Sequence, residues 1–267
     1  MIEHPAYELL VSTARYLGAE VKRFKRSVAD GFRIDLSEIK RAVTSRTRLI
    51  ITTNLHNPSS TLTDEETLKQ VGEIARSCGA RVLVDEVYLD AAFERAPRSA
   101  FHLGEMFITT NSLTKVYGLS GLRCGWVLAK PELAQRIWRL NDLFGVIPAH
   151  TAELLSCIAL ANLETIAERA RQLLETNRRT LNSFLASRAD LSALELELGT
   201  VAFPQLKRGN VDALHMLLHE KYETSIVPGR FFEMPQHFRI GIGCDTPMLT
   251  AGLERLSTAL DEYVKMS

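Results

Sequence analysis

NSLTKVYGLSGLRCGW, running from Asn111 to Trp126, is the stretch around which the rest of the chain is read. The apolar run Met106 to Thr110 leads into it and reads as a buried strand. A second apolar run, Trp126 to Ala129, leaves it. Ser112 and Lys115 stand three apart, and Gly118, Gly121 and Gly125 break the chain with Arg123 among them. A lysine on a glycine-marked loop between two buried strands suits an amine that is held still, partly desolvated and aimed at a carbonyl. Burial or a neighbouring cation lowers a lysine's pKa and frees the neutral amine for Schiff-base chemistry. Ser112 and Arg123 suit an anion, since arginine offers a fork of donors that matches phosphate. Taken alone, the same lysine reads as a surface charge in a loop.

Outward from this stretch, the first half alternates between strand and helix. Pro5 to Leu17 is expected to be a helix with Tyr7, Leu10, Val11, Ala14 and Leu17 on one face and Gly18 at its end. A short strand is expected around Ala19 to Phe24, and a short helix from Asp35 to Val43. Leu49 to Thr53 is an apolar strand that runs into the turn-rich Asn54–Ser60. Thr63 and Glu66 match a capping box for a helix that turns Leu68, Val71, Ile74 and Ala75 inward and stops at Gly79. Arg81 to Val84 is another strand, with Asp85-Glu86-Val87-Tyr88 at its end. This pattern predicts an α/β domain with a mostly parallel sheet. Ligands of such sheets bind at the carboxyl ends of the strands, where Asn57, Asp85, Ser112 and Lys115 all fall.

From Glu132 the sequence is helical for a long way, with breaks at Gly145, Pro148 and near Asn162. From about Asn177 a smaller α+β domain is expected, with strands near Val201–Leu206, Thr224–Val227 and Phe238–Ile242. A helix capped by Asn210 spans Val211–Tyr222, and a last helix capped by Thr246 turns Leu249, Leu253, Leu256, Leu260 and Val264 inward. The expected organisation is a large α/β domain over 1–150, a connecting helix over 151–176 and the small domain over 177–267.

The chain has 267 residues, 46% of them hydrophobic and 24% charged, and Lys plus Arg equals Asp plus Glu at 32 each. That balance gives no reason to expect nucleic acid or an anionic membrane as a partner. No apolar run is long enough to span a bilayer, and the start lacks the pattern of a secretory signal. Cys78, Cys124, Cys157 and Cys244 show no paired spacing, so free thiols and a cytoplasmic location are expected. His215 and His219 have a spacing that can hold a metal but lack a third ligand nearby, so no metal is expected.

HNPSS at 56–60, VDEVY at 84–88, the Asn111–Trp126 stretch and FRIGIG at 238–243, with Glu3-His4-Pro5-Ala6-Tyr7 before them, closely resemble the class I/II aminotransferases. These are fold type I enzymes that use pyridoxal 5′-phosphate, built as a three-layer, mostly parallel α/β large domain with a small C-terminal domain. The resemblance covers nearly the whole chain. It implies that Lys115 forms the Schiff base with the cofactor and shuttles the substrate proton. Asp85 would pair with the pyridine nitrogen, Tyr88 and Asn57 would share the cofactor's 3′-oxygen, and Ser112 and Arg123 would bind its phosphate. Asn57 and Arg239 would hold the substrate α-carboxylate. Read singly, Asp85 is equally a helix cap, Tyr88 a core-edge tyrosine, Asn57-Pro58 an ordinary turn pair and Arg239 a partner for a structural carboxylate. Glu86 is read as structural.

Two departures from the family are expected to matter. Serine stands at the end of HNPSS where the family usually has glycine, so a slightly different turn is expected. Relatives carry a substantial N-terminal part before the segment matching Glu3-His4-Pro5, so a fragment, a misplaced start or a reduced relative is expected, with an unpaired sheet edge and exposed apolar surface beside Gly125–Ala129. The resemblance implies transamination between an L-amino acid and a 2-oxo acid by a homodimer. The alternatives are a lyase or decarboxylase on the same residues, and a silent fragment or cofactor-sensing module. No arginine stands between Arg139 and Arg169, which leans away from a dicarboxylate substrate.

Overall fold

The computed structural model describes the backbone of residues 1–266 and the side chains of 1–263, so the expected inward placement of Val264 lies outside the described residues. Six strands form the main sheet: β1 (Ile2–His4), β2 (Arg23–Lys25), β3 (Leu49–Thr53), β4 (Arg81–Asp85), β5 (Phe107–Ser112) and β6 (Gly125–Leu128). Their order is β2-β1-β3-β4-β5-β6. β1, β3, β4 and β5 run parallel, and β6 returns antiparallel to β5 with Ser112 opposite Gly125.

Two helices cover this sheet for reasons visible in their spacing. In α2 (Leu36–Ala42), Asp35 caps the first turn by accepting from the Ser37 N–H. In α3 (Glu65–Ser77), Leu68, Val71, Ile74 and Ala75 are all buried, as their 3–4 residue spacing dictates. Gly72 lets α3 lie close to the sheet, because a Cβ there would stand 2.8 Å from the Phe107 ring. The core between them holds Phe24, Ile39, Ile50, Val82, Val84 and Phe107. The cap of α3 is Asp64, whose carboxylate accepts from the Thr67 N–H at 2.7 Å. This corrects the expected capping box, because the Thr63 N–H is taken by the Asn54 side chain instead.

The chain divides into two compact units. The first comprises Met1–Glu3, Val21–His56 and Thr61–Arg171; the second comprises His4–Glu20, Asn57–Ser60 and Gln172–Ser267. The first unit also carries α4 (Pro131–Phe144) and α5 (His150–Ala161). No residue of α4 is buried, and Trp138, Leu143 and Phe144 stand exposed, with Ile147 beyond them. β6 lies at the sheet edge with only half-burial, which corrects the expectation of a second buried strand. β5 packs on one side of β6, and the other side meets no strand of the sheet.

Near the start, α1 (Glu8–Tyr16) begins three residues later than expected, and only Val11 of its apolar face is buried. Pro5 lies before it, because Ile2–His4 is taken up as a strand beside β3. The break at Asn162 is present, and α6 (Leu163–Ser187) follows it.

The second unit holds β7 (Leu191–Ser192), β8 (Val201–Ala202), β9 (Gln205–Leu206), α7 (Val211–Tyr222), β10 (Val227–Pro228), β11 (Phe238–Gly241) and α8 (Thr246–Met266). β10, β11 and β8 make a small antiparallel sheet. Asn210 caps α7 through the Asp212 and Ala213 N–H groups. α8 is capped by Asp245, which accepts from the Met248 N–H at 3.1 Å. Thr246, the expected cap, instead donates to the buried Asn177. Leu249, Leu253, Leu256 and Leu260 are buried.

Candidate active site

Asp85 ends β4, one place beyond the buried Val84, so the alternation of the strand turns it out of the core at the sheet's carboxyl edge. Thr110 stands opposite it on β5, and its hydroxyl donates to Asp85 Oδ1 at 2.9 Å. The Val87 N–H donates to the same oxygen at 3.3 Å. Oδ2 accepts nothing among the described residues. Burial pushes the Asp85 carboxyl up from its ordinary range; the Thr110 and Val87 bonds oppose this, Glu3 adds to it, and Lys115 pulls it back down. The group that would settle this carboxylate is a cation placed against its open oxygen.

Three residues on, Tyr88 is buried. Glu86, between them, accepts from the Ser99 hydroxyl and the Ala100 N–H at 2.6 Å each, which fits its reading as structural.

Lys115 lies in the turn after β5. Leu113, Val116 and Tyr117 are buried, so the loop is pinned on both sides of the lysine. Lys115 itself is exposed. This corrects the expectation of a partly desolvated amine: the apolar neighbours point inward and the lysine takes the outward place. Asp90 accepts from Asn111 Nδ2 at 3.2 Å. Burial, followed by Asp90, pushes the Tyr117 phenol well above its usual range. Ser112 Oγ lies 2.7 Å from Thr114 Oγ1 and accepts from the Thr114 N–H, so the two hydroxyls are paired beside Lys115. Arg123 is exposed in a left-handed conformation with φ 52°, its guanidinium donating to the Ser120 carbonyl at 3.3 Å.

The family-model comparison covers residues 1–256, matching the model described as Aminotransferase class I and II. This chain belongs to the class I and II aminotransferases. Pyridoxal 5′-phosphate is the cofactor of that family, and the residues of the first unit fit it: Asp85 offers an open, half-buried acceptor to a protonated ring nitrogen, and Ser112 and Thr114 offer hydroxyls beside the lysine. Among curated members of the family, the chain is 26% identical to capreomycidine synthase of Streptomyces vinaceus, over 99% of this chain and 69% of that protein. It is also 26% identical to a probable aspartate/prephenate aminotransferase of Aquifex aeolicus, over 98% of this chain and 70% of that protein. Among solved structures, a PLP-dependent aminotransferase of Streptococcus suis superposes with a TM-score of 0.93 at 28% identity, over 98% of this chain and 70% of that one. The chain thus spans about seven-tenths of the length of these aminotransferase-family proteins.

In the second unit of this family member, Asn57 is buried, and its Oδ1 accepts from Arg239 Nη1 at 2.9 Å. Arg239 lies on β11, with its guanidinium carbon over the Phe232 ring at 5.0 Å from the centroid. Its remaining in-plane donors are unclaimed among the described residues, an arrangement open to a carboxylate. Ser60, where the family usually has glycine, sits at φ 60°. That left-handed conformation favours glycine. The serine is held there by its hydroxyl, which donates to the Val201 carbonyl at 2.7 Å.

Several supporting residues carry no mark in the sequence. Thr110 becomes visible only through the β4–β5 register, and Asp90 and Phe232 only through their contacts. Asp90 stands two residues past Tyr88, which is the nearest thing to a linear signal. His215 and His219 stack at 6.3 Å between ring centroids, and no group of three potential metal ligands occurs among the described residues.

Proposed function

We propose that this chain catalyses transamination between an L-amino acid and a 2-oxo acid with pyridoxal 5′-phosphate. The observation that carries the reading is Asp85: a half-buried carboxylate with one open oxygen, in the same unit as a lysine held outward by buried neighbours. The bound cofactor supplies an electron sink for the bonds at the substrate α-carbon. Asp85 holds the proton on the ring nitrogen and so keeps that sink strong. Lys115 would provide the amine that anchors the cofactor and would then move the α-proton. By the family resemblance, Tyr88 and Asn57 would serve the ring oxygen, Ser112 and Arg123 the phosphate, and Arg239 with Asn57 the substrate carboxylate.

The test is incubation of the full chain with pyridoxal phosphate, borohydride reduction and peptide mapping. The expected result is label at Lys115, lost in Lys115→Ala, and amino transfer that requires both an amino acid and a 2-oxo acid. Scattered labelling of surface lysines refutes the assignment and favours a silent chain or cofactor sensor.

A second reading is a lyase or related reaction on the same residues, and one observation favours it: a relative matched over 99% of the chain is named a synthase. Product formation from an amino acid without any 2-oxo acid would select it. We further propose a homodimer, supported by the exposed apolar side chains of α4. The four free cysteines support a cytoplasmic location. Among the described residues no helix is long and apolar enough to cross a membrane.

A further inference from the structure

The side chains behind Arg239 form a continuous series of ring contacts. His237 stacks on Phe203 with centroids 4.9 Å apart and planes 20° apart. Phe203 meets Phe232 edge to face at 5.4 Å and 74°. Phe232 then presents its face to the Arg239 guanidinium at 5.0 Å. All three rings are buried.

The local backbone holds the series in place. The Gly229 N–H donates to the His237 carbonyl at 2.7 Å, and the His237 N–H donates to the Met234 carbonyl at 2.9 Å. His237 Nδ1 has no hydrogen-bond partner among the described residues, so that side of the ring contributes packing rather than a bond. Burial pushes its pKa down to about 4, which keeps the ring neutral at physiological pH.

Arg239 is thereby constrained in two independent directions. Asn57 takes one donor, and the Phe232 ring lies against the guanidinium carbon at 5.0 Å from its centroid. A cation within about 6 Å of a ring centroid is attracted by the ring quadrupole, and the attraction grows with desolvation. An arginine side chain fixed beforehand loses less rotamer freedom when a carboxylate arrives.

From this geometry we infer that Phe232 is a positioning residue for the carboxylate clamp: its ring, braced by Phe203 and His237, holds the Arg239 guanidinium ready for a bidentate carboxylate. The inference rests on the reading of Arg239 as that clamp, and the experiment separates the two.

Phe232 is replaced in the full chain by 4-fluoro-, 3,5-difluoro- and 3,4,5-trifluorophenylalanine. These nearly isosteric rings drain the negative face stepwise and leave packing almost unchanged. The Arg239-dependent affinity for sodium acetate is measured by saturation-transfer NMR, as the difference from Arg239→Lys. Acetate affinity should fall steadily along the series, by about 3- to 10-fold in all, the range a partly desolvated cation–π contact implies. In labelled chain, the Arg239 side-chain protons should resonate upfield of ordinary arginine positions and move back in Phe232→Leu. A flat series with Arg239→Lys still abolishing acetate binding overturns the role of Phe232 and leaves the clamp standing. Acetate affinity unchanged in Arg239→Lys overturns the clamp itself. In turnover, a weakened clamp raises KM for the amino acid and leaves kcat near its starting value.

Discussion

Glu3→Gln isolates a buried ion pair in the first unit. The Glu3 and Arg26 side chains are fully excluded from solvent, with Nη1 2.7 Å from Oε2. The carboxylate accepts four hydrogen bonds: from Arg26 and the Thr52 hydroxyl on Oε2, and from the Thr53 N–H and hydroxyl on Oε1. The rest of the Arg26 fork donates to the Phe32 carbonyl and the Thr63 hydroxyl. Burial pulls the Arg26 pKa down, and Glu3 opposes that pull by charge and by hydrogen bond. Glutamine keeps the shape and the acceptor facing Thr53, but it removes the charge and turns an N–H toward Arg26. Leaving one member of such a pair uncompensated costs about 3–5 kcal/mol. For a chain of this size that corresponds to roughly 6–20 °C in melting temperature. The assay is urea unfolding followed by circular dichroism at 25 °C, with a calorimetric melt beside it. Glu3→Gln/Arg26→Met removes both charges and should be less destabilised than the sum of its two single changes. A loss under about 1 kcal/mol for Glu3→Gln, or simple additivity in the double change, refutes the reasoning.

Asp85→Asn should act in opposite directions on stability and on cofactor binding. The folded-state pKa of Asp85 is raised, so the stability contributed by its protonated form is present below the ordinary carboxylate range and lost as pH rises through the raised value. The cofactor-free Asp85→Asn chain should therefore be more stable than the parent near pH 7 in urea titrations, and the difference should vanish under acid. The same change should weaken pyridoxal phosphate binding by about 30-fold, the loss of about 2 kcal/mol from a buried charge pair; unchanged spectrophotometric affinity would argue against a ring-nitrogen partner. Gly229→Ala should cost about 3 kcal/mol, because a Cβ there would stand 2.1 Å from the Met234 carbonyl oxygen and 2.2 Å from that of His237. A melting temperature within a degree of the parent would show that the turn can relax.

Much of the first unit was legible because its signals are local. Leu68, Val71, Ile74 and Ala75 recur at helical spacing and are buried accordingly. The runs Leu49–Thr53 and Arg81–Val84 are strands within one residue of where they were read. What was illegible depends on distant partners. Ile2–His4 has only three residues, and its strand character comes from pairing with Ile51, far along the chain. Thr63 and Asp64 are both plausible caps, and the choice was made by Asn54, which engages the Thr63 backbone on both sides. Ser60 keeps a glycine-like conformation through a bond to a residue 141 positions away.

By itself, the sequence determined the family, the strand–helix alternation and the identity of the residues at the strand ends. Those depend on residue type, short-range periodicity and motif order. Only the tertiary structure decided their environments. It left Lys115 exposed between buried neighbours, half-exposed the edge strand β6, and left one oxygen of Asp85 open. It also set Arg239 between Asn57 and Phe232, although Asn57 is 182 positions away. Exposure, hydrogen-bond completeness and the pKa of a buried group are sums over neighbours brought together by folding, and no local stretch of chain contains those neighbours.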